Sequence, residues 1–275
     1  MIETIAFRES ANEKAAGIAR RILVGLDGEP SSDAALLSAS QLAPASRLHV
    51  LAVTAPHRQS EFDQRERVEA QIERVLGSEA GIRVDVRAGS VPTAVAAFAE
   101  ALDASLLVTG LGEPCVRDRL LSAETAFHIA RWATMPLLSV SQRGGTPPVR
   151  VMVAMDSSEA SRRAALLVRD IAAPDARIIL AHVRTPAARE MPRPTLAAYA
   201  DRLQRGHLGR VELVELDGDP ATELLWFANA HGVDLIAIGR RSNVVRPRGI
   251  MGRVATRIVR CAQSSFLMAD ERGAP

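Results

Sequence analysis

Arg21-Ile22-Leu23-Val24-Gly25-Leu26-Asp27 returns as Arg150-Val151-Met152-Val153-Ala154-Met155-Asp156, 129 residues further on (156 − 27). The same offset carries Leu106-Leu107-Val108-Thr109-Gly110 onto Leu235-Ile236-Ala237-Ile238-Gly239. It also carries Gly89 onto Gly218, Phe98 onto Phe227, and Ile129-Ala130-Arg131 onto Ile258-Val259-Arg260. An offset held across separated segments marks a duplicated domain-sized unit, because solenoid repeats run only ~20–50 residues. Each half is therefore a version of the other, and their differences carry information.

The pattern within each half alternates. Ile22–Leu26 is a short apolar run of the kind a buried strand needs. Ser31-Ser32-Asp33 ahead of Ala34-Ala35-Leu36-Leu37 reads as an N-cap and helix. Strands follow at 47–53, 82–86, 106–109 and 137–140, with a surface helix over Glu61–Leu76 and a helical period through Val91, Val95, Phe98 and Leu102. The second half repeats the order at Val151–Met155, Ile178–Val183, Val211–Glu215, Leu235–Ile238 and Phe266–Met268. Alternation of this kind predicts an α/β fold: two tandem, doubly wound, five-stranded parallel sheets with helices on both faces. The expected boundaries are an N-terminal arm at 1–19, a first domain at 20–142, a linker at 143–148 and a second domain at 149–275. The linker Arg143-Gly144-Gly145-Thr146-Pro147-Pro148 combines bending glycines with prolines that stop strand pairing.

Composition narrows the function classes. A net charge of +2 with sparse aromatics argues against a nucleic-acid binder, which needs basic patches and stacking platforms. Lys14 is the only lysine and lies in no Gly-rich turn, so a P-loop is excluded. Cys115 and Cys261 are not repeat-equivalent and form no metal-ligand spacing, which reads as a reduced cytosolic protein. Acidic residues at the start speak against a signal peptide, and no apolar run approaches the ~20 residues of a membrane span. The six histidines do not pair at helical spacing, so no metal site is expected. His182 reads as a packed residue beside the second strand, and Trp132 and Trp226 as core or domain-interface residues. No nucleophile elbow is present, and no catalytic residue is assigned.

Ligands of doubly wound sheets bind beyond the carboxyl ends of the strands, where strand order reverses. There each half places an aspartate after its first strand, Asp27 and Asp156, and a glycine after its fourth, Gly110 and Gly239. Together with Leu180-Ala181-His182-Val183 and the Met251-Gly252-Arg253-Val254-Ala255 stretch, this arrangement resembles the universal stress protein family in tandem form. The resemblance implies a Rossmann-like fold of the adenine nucleotide alpha hydrolase type. It also implies a last strand in each unit that serves as a dimerising edge. Leu137–Ser139 and Phe266–Met268 are then expected to pair antiparallel, forming an internal pseudo-dimer.

In nucleotide-binding members of that family the fourth-strand loop reads G-x2-G-x9-G-[S/T], and its amides and the next helix start hold the phosphates. By resemblance, Asp156 and Val183 take the adenosine positions, and Gly239 and Gly252 the first and third loop glycines, with Val254 following in the helix. Ser242 replaces the second glycine, and Arg253 replaces the small hydroxyl residue. Arg253 opposes the helix dipole unless an anion sits there. Arg240, Arg241, Arg246 and Arg248 add positive charge to this loop sequence. Two readings of the loop stay open: an electropositive phosphate seat, or a decayed loop with solvated arginines. The first half departs further, with Glu113 and Ala123-Glu124 at the corresponding places. A glutamate at a helix start satisfies the dipole and repels phosphate, so ATP is not expected there.

Three roles follow. The first is a cytosolic, non-enzymatic stress-response or regulatory protein binding ATP or another adenine nucleotide in its second domain only. The second is an adaptor with both sites lost, acting through a protein partner. The third, and least supported, is an ATP-hydrolysing enzyme. Neither a nucleic acid nor a membrane is an expected partner, and further homodimerisation is left open.

Overall fold

The computed structural model describes residues 21–54, 60–78, 80–111, 119–156, 158–185, 193–205, 207–240 and 251–270, without the side chains of 119–124 and 193–194. The first repeat runs β1 (Ile22–Leu26), α1 (Asp33–Leu42), β2 (Leu48–Thr54), α2 (Glu61–Leu76), β3 (Arg83–Ala88), α3 (Val91–Ala101), β4 (Leu106–Leu111), α4 (Arg119–Trp132) and β5 (Leu137–Ser141). The second runs β6 (Arg150–Ala154), α5 (Glu159–Ile171), β7 (Arg177–Arg184), α6 (Arg193–Gln204), β8 (Val211–Asp217), α7 (Pro220–Ala230), β9 (Leu235–Arg240), α8 (Arg253–Cys261) and β10 (Ser265–Asp270).

The two five-stranded sheets join into one ten-stranded sheet, ordered β3-β2-β1-β4-β5-β10-β9-β6-β7-β8. Within each repeat all neighbours are parallel. The junction is antiparallel: Leu267 faces Leu138, flanked by Met268 with Leu137 and Phe266 with Ser139. Leu138 and Leu267 are repeat-equivalent, so an internal pseudo-two-fold passes between them. Leu137, Phe266 and Leu267 have no exposed surface. Each such side chain contributes about 1.5–3 kcal/mol on burial, which makes the junction a continuous core.

Alternating strand residues serve two cores. Ile22, Val24, Val151 and Val153 pack under α1, α2, α5 and α6, while Leu23, Leu107, Met152 and Ile236 pack under α3, α4, α7 and α8. Strands buried on both faces explain why the sequence shows continuous apolar runs rather than polar alternation. Helix starts are fixed locally. Ser60 Oγ accepts Asp63 N–H at 3.1 Å, Ser158 Oγ accepts Ser161 N–H at 3.1 Å, and Asp219 Oδ1 accepts Thr222 N–H at 3.0 Å. These are the side-chain acceptors that free helical amides require.

The linker packs against the first repeat. Gln41 Nε2 donates to Gly145 O at 2.7 Å, and a Cβ at Gly144 would lie 2.5 Å from Val140 Cγ1. Trp132 and Trp226 depart from the sequence expectation: they are 42% and 63% exposed. Trp226 lies on α7, whose buried side is filled by Ala221, Leu224, Phe227 and Ala228, so the indole faces outward. Residue type alone favoured burial, but helical phase decided otherwise. The expected arm at 1–19 and Cys115 lie outside the described residues.

Candidate functional site

In the first repeat, strand order reverses between β1, which leads on to β2, and β4, which leads on to β5. A cleft of about 210 Å³ opens at the carboxyl ends of these strands. Asp27 projects from the end of β1 and is exposed. Its Oδ1 accepts Glu29 N–H at 3.0 Å and Ser32 Oγ–H at 2.7 Å. The turn behind it is braced by Gln71 of α2, which has no exposed surface. Gln71 Oε1 accepts Gly28 N–H at 3.1 Å, and its Nε2 faces Glu29 O at 2.8 Å, Ser32 Oγ at 3.0 Å and Asp33 Oδ1 at 2.7 Å. Gly28 has φ +88°, so the turn needs a residue without a Cβ. Gly110 lets β4 approach α1, since a Cβ there would sit 3.1 Å from Ser32 Cα.

The second repeat holds the counterparts. β1 pairs Gly25 with Leu51, and β6 pairs Ala154 with Ala181. That register makes Val53 the counterpart of Val183, one residue off the 129-residue offset. Asp156 is exposed, and its Oδ1 accepts Ser158 N–H at 3.1 Å and Ser158 Oγ–H at 2.5 Å. Val183 is buried beside His182, whose Nδ1 lies 2.8 Å from Met155 O. His182 is thus a packed strand residue, as the sequence suggested. Gly239 admits no side chain: a Cβ would lie 2.4 Å from Ser161 N. Several counterparts of first-cleft residues differ, with Ala154 for Gly25, Ile238 for Thr109 and Pro220 for Val91.

The two fourth-strand segments end differently. α8 starts at Arg253 with Gly252 as its N-cap, and among the described residues no side chain caps it. Thr256 N–H donates to Gly252 O at 2.9 Å, so the amides of Arg253, Val254 and Ala255 precede the intrahelical ladder. Arg253 is exposed and Val254 half-buried. Gly252 has φ −64°, and a Cβ there would meet nothing within 4 Å. Its glycine is therefore not demanded by the backbone. Ser242, with Arg241, Arg246 and Arg248, lies in 241–250, outside the described residues. In the first repeat α4 already starts at Arg119. Glu124, the counterpart of Arg253, is therefore inside the helix, not at its start as expected. The amides of Ala123 and Glu124 then point to carbonyls four residues back.

Arg240 corrects a second expectation. It does not join the charges of the loop that follows it. It is 8% exposed and pairs with Asp270, itself 1% exposed, at 2.6 Å. Its Nη1 also donates to Ala130 O at 2.5 Å, and its Nη2 to Ala133 O, both at the carboxyl end of α4 in the other repeat. A cation there satisfies carbonyls that the helix leaves open and complements its dipole. Arg163 adds a donor to Asp270 O at 3.2 Å.

Near α8, hydrogen bonds from Thr222, helped by Arg257 at 3.1 Å, hold the Asp219 carboxyl below the usual carboxylate range. Among the described residues no group of three or more His, Cys, Asp or Glu side chains is placed to hold a metal ion. No described helix is long and apolar enough to cross a membrane.

Comparison with known proteins matches the family model described as the universal stress protein family twice, over residues 19–141 and 149–269. A search of curated proteins finds no significant match. Among solved structures, the chain is similar to a universal stress protein from Archaeoglobus fulgidus DSM 4304, with 17% identity, 92% of this chain and 99% of that chain covered, and a TM-score of 0.67. It is also similar to a putative universal stress protein from Pseudomonas aeruginosa UCBPP-PA14, with 16% identity, 94% and 95% covered, and a TM-score of 0.63. A functionally unknown protein from Pseudomonas aeruginosa PAO1 shares 17% identity, with 94% of each chain covered and a TM-score of 0.61. At these identities the structural likeness concerns the fold alone. The two family matches, the ten-stranded sheet and the paired last strands lead to one conclusion: this chain belongs to the universal stress protein family, as a tandem of two units folded into an internal pseudo-dimer.

Proposed function

We propose that the chain is a regulatory stress-response protein that binds ATP or another adenine nucleotide in its second repeat and catalyses no reaction. The observation that carries this reading is the start of α8. Gly252 has no side chain to cap the Arg253 and Val254 amides, no other described side chain caps them, and a helix start of this kind favours an anion. By the family resemblance Asp156 and Val183 take the adenosine positions, Gly239 and Gly252 the first and third glycines of the phosphate loop, and Ser242 and Arg253 its two altered places. Arg253 turns from a liability into a partner once a phosphate is bound. Calorimetric titration of ATP, ADP and AMP tests the reading, with Gly252→Glu as control. Binding at one site, abolished by the added carboxylate, is the expected result. No heat from any nucleotide on folded protein overturns it. A turnover assay against Asp156→Ala tests the absence of catalysis.

A second reading, an adaptor acting through a protein partner, is favoured by the bulkier Ala154 and Ile238, which stand where the first cleft has Gly25 and Thr109. It predicts silence in the titration and retention of the pseudo-dimer fold.

A further inference from the structure

We propose that the amino-terminal rim of the second repeat is the surface through which two copies of this chain associate, with Leu208 and Val149 as its apolar anchors. The seam between β5 and β10 takes up the last strand of each repeat. A dimer of the whole chain therefore needs a different surface.

Among the described residues Leu208 is the most exposed large apolar side chain, at 84%, and Val149 is 59% exposed. Both stand where strands begin. Val149 precedes β6, Pro174-Asp175-Ala176 precedes β7, and Leu208 precedes β8. These three strands are neighbours in that order, which sets the anchors two strand spacings apart, about 10 Å. Pro174, also exposed, stands between them. The fold does not ask for apolar residues here. At the 129-residue offset the first repeat has Arg20 for Val149 and Glu79 for Leu208.

Hydrogen bonds hold the turn that carries Leu208. The Leu208 and Gly209 N–H groups both donate to Pro174 O at 3.2 Å. Gln204, at the end of α6, clamps the turn from the other side. Its Nε2 donates to His207 O at 3.2 Å and Gly209 O at 2.8 Å, and its Oε1 accepts Val211 N–H at 3.0 Å. His207 is buried with Nε2 2.6 Å from Ala176 O, and Gly209 leaves no room for a side chain against that carbonyl. The neighbouring segments are tied in turn: Ala173 N–H donates to Pro148 O at 3.0 Å, and Arg177 N–H to Val149 O at 2.8 Å. An anchor held in place beforehand loses little conformational freedom on binding.

The charges around the anchors select the partner. Arg177 and Arg210 share Glu212, and Asp175 and Asp234 lie on the same rim. A surface of one sign repels its own copy. A surface with both signs around apolar residues can face itself, because a two-fold axis sets each residue against a different one. An apolar centre with a polar border is the build of such interfaces. Contact at the strand ends also leaves each sheet at ten strands, the size beyond which twisted open sheets rarely grow. The start of α8 stays open, since it lies beyond the carboxyl ends of the second repeat's strands.

Sedimentation velocity on the full chain, across a concentration series, tests the proposal. A dimer is expected with a Kd of ~1–100 µM, weak because the anchors are few. Leu208→Asp and Val149→Asp are each expected to weaken it about tenfold or more. Circular dichroism should show both variants folded, because the side chains stand in solvent. Trp226→Ser, which removes the exposed indole of α7, is expected to leave the dimer intact. A chain still monomeric at ~1 mM overturns the proposal and leaves the rim to another protein. So does a dimer that survives the combined Leu208→Asp and Val149→Asp changes, or one lost with Trp226→Ser. Nucleotide titration of Leu208→Asp should match the wild-type chain, so this inference and the second-repeat reading stand or fall separately.

Discussion

Asp270→Asn is the most telling perturbation of the assembled fold. Asp270 is 1% exposed and holds Arg240 at 2.6 Å. Removing one partner of a buried pair leaves an uncompensated charge and costs about 3–5 kcal/mol. Here two main-chain acceptors remain, Ala130 O and Ala133 O. A bond to a charged group contributes about 1.5–3 kcal/mol, so the guanidinium keeps partial compensation. We therefore expect a loss of about 3 kcal/mol, at the lower end of the range. The arginine also fastens β9 of one repeat to α4 of the other. Its disturbance should loosen the repeats from each other as well as lower stability. Urea denaturation followed by far-ultraviolet circular dichroism and by Trp132 and Trp226 fluorescence reads both effects. The wild-type probes should coincide, and those of Asp270→Asn should separate. A double-mutant cycle with Arg240→Met should return a coupling energy of about 1–3 kcal/mol. A loss under about 1 kcal/mol, with coincident probes, would refute the argument, because it would equate the pair with an exposed surface bridge.

Gly239→Ala should cost about 3 kcal/mol, the upper end for overpacking, since its Cβ would lie 2.4 Å from Ser161 N. Gly110→Ala, where the nearest atom is at 3.1 Å, should cost clearly less, and thermal melts of the two compare them. Gln71→Leu should lower stability by about 2 kcal/mol or more by orphaning the Gly28 amide and its neighbours. Denaturant midpoints measure that loss, and an unchanged midpoint would mean the turn is held by other groups. The Asp219 carboxyl, lowered chiefly by the Thr222 hydroxyl, contributes stability above the unfolded carboxylate pKa. That contribution disappears as pH falls through its depressed value. A carbon-detected NMR titration of Thr222→Ala should show the Asp219 pKa rising, and no rise would reassign the cause to Arg257.

The strands were legible because they rest on local patterns, and the seam because the family resemblance implied it. Short apolar runs such as Ile22–Leu26 are what strands buried on both faces require, and the predicted pairing of Leu137–Ser139 with Phe266–Met268 is the observed register. The offset of 129 located Asp156, Gly239 and their counterparts. It did not locate Val53 as the counterpart of Val183, because the β1–β2 and β6–β7 registers differ from the offset by one residue. Arg240 was misread for a deeper reason. Its partners lie in another repeat, on main-chain carbonyls that no side-chain pattern reveals. The early start of α4 was likewise hidden, since Arg119-Leu120-Leu121-Ser122 occupies a segment that the repeat assigns to loop. The first cleft was discounted on phosphate grounds, although the aspartate and valine of its other end are retained.

The Leu138–Leu267 seam has a consequence for how the two halves can change. Between identical chains a substitution near such an axis appears twice, and both copies must tolerate it. Covalent joining removes that constraint. Leu111 and Ser141 pair in one half where Arg240 and Asp270 pair in the other. A charged arginine at both places would set two buried guanidinium groups on either side of the same axis. With a single copy, the molecule keeps a donor on one side and an apolar residue on the other. Each half is then free to drift toward its own chemistry while the shared sheet stays whole.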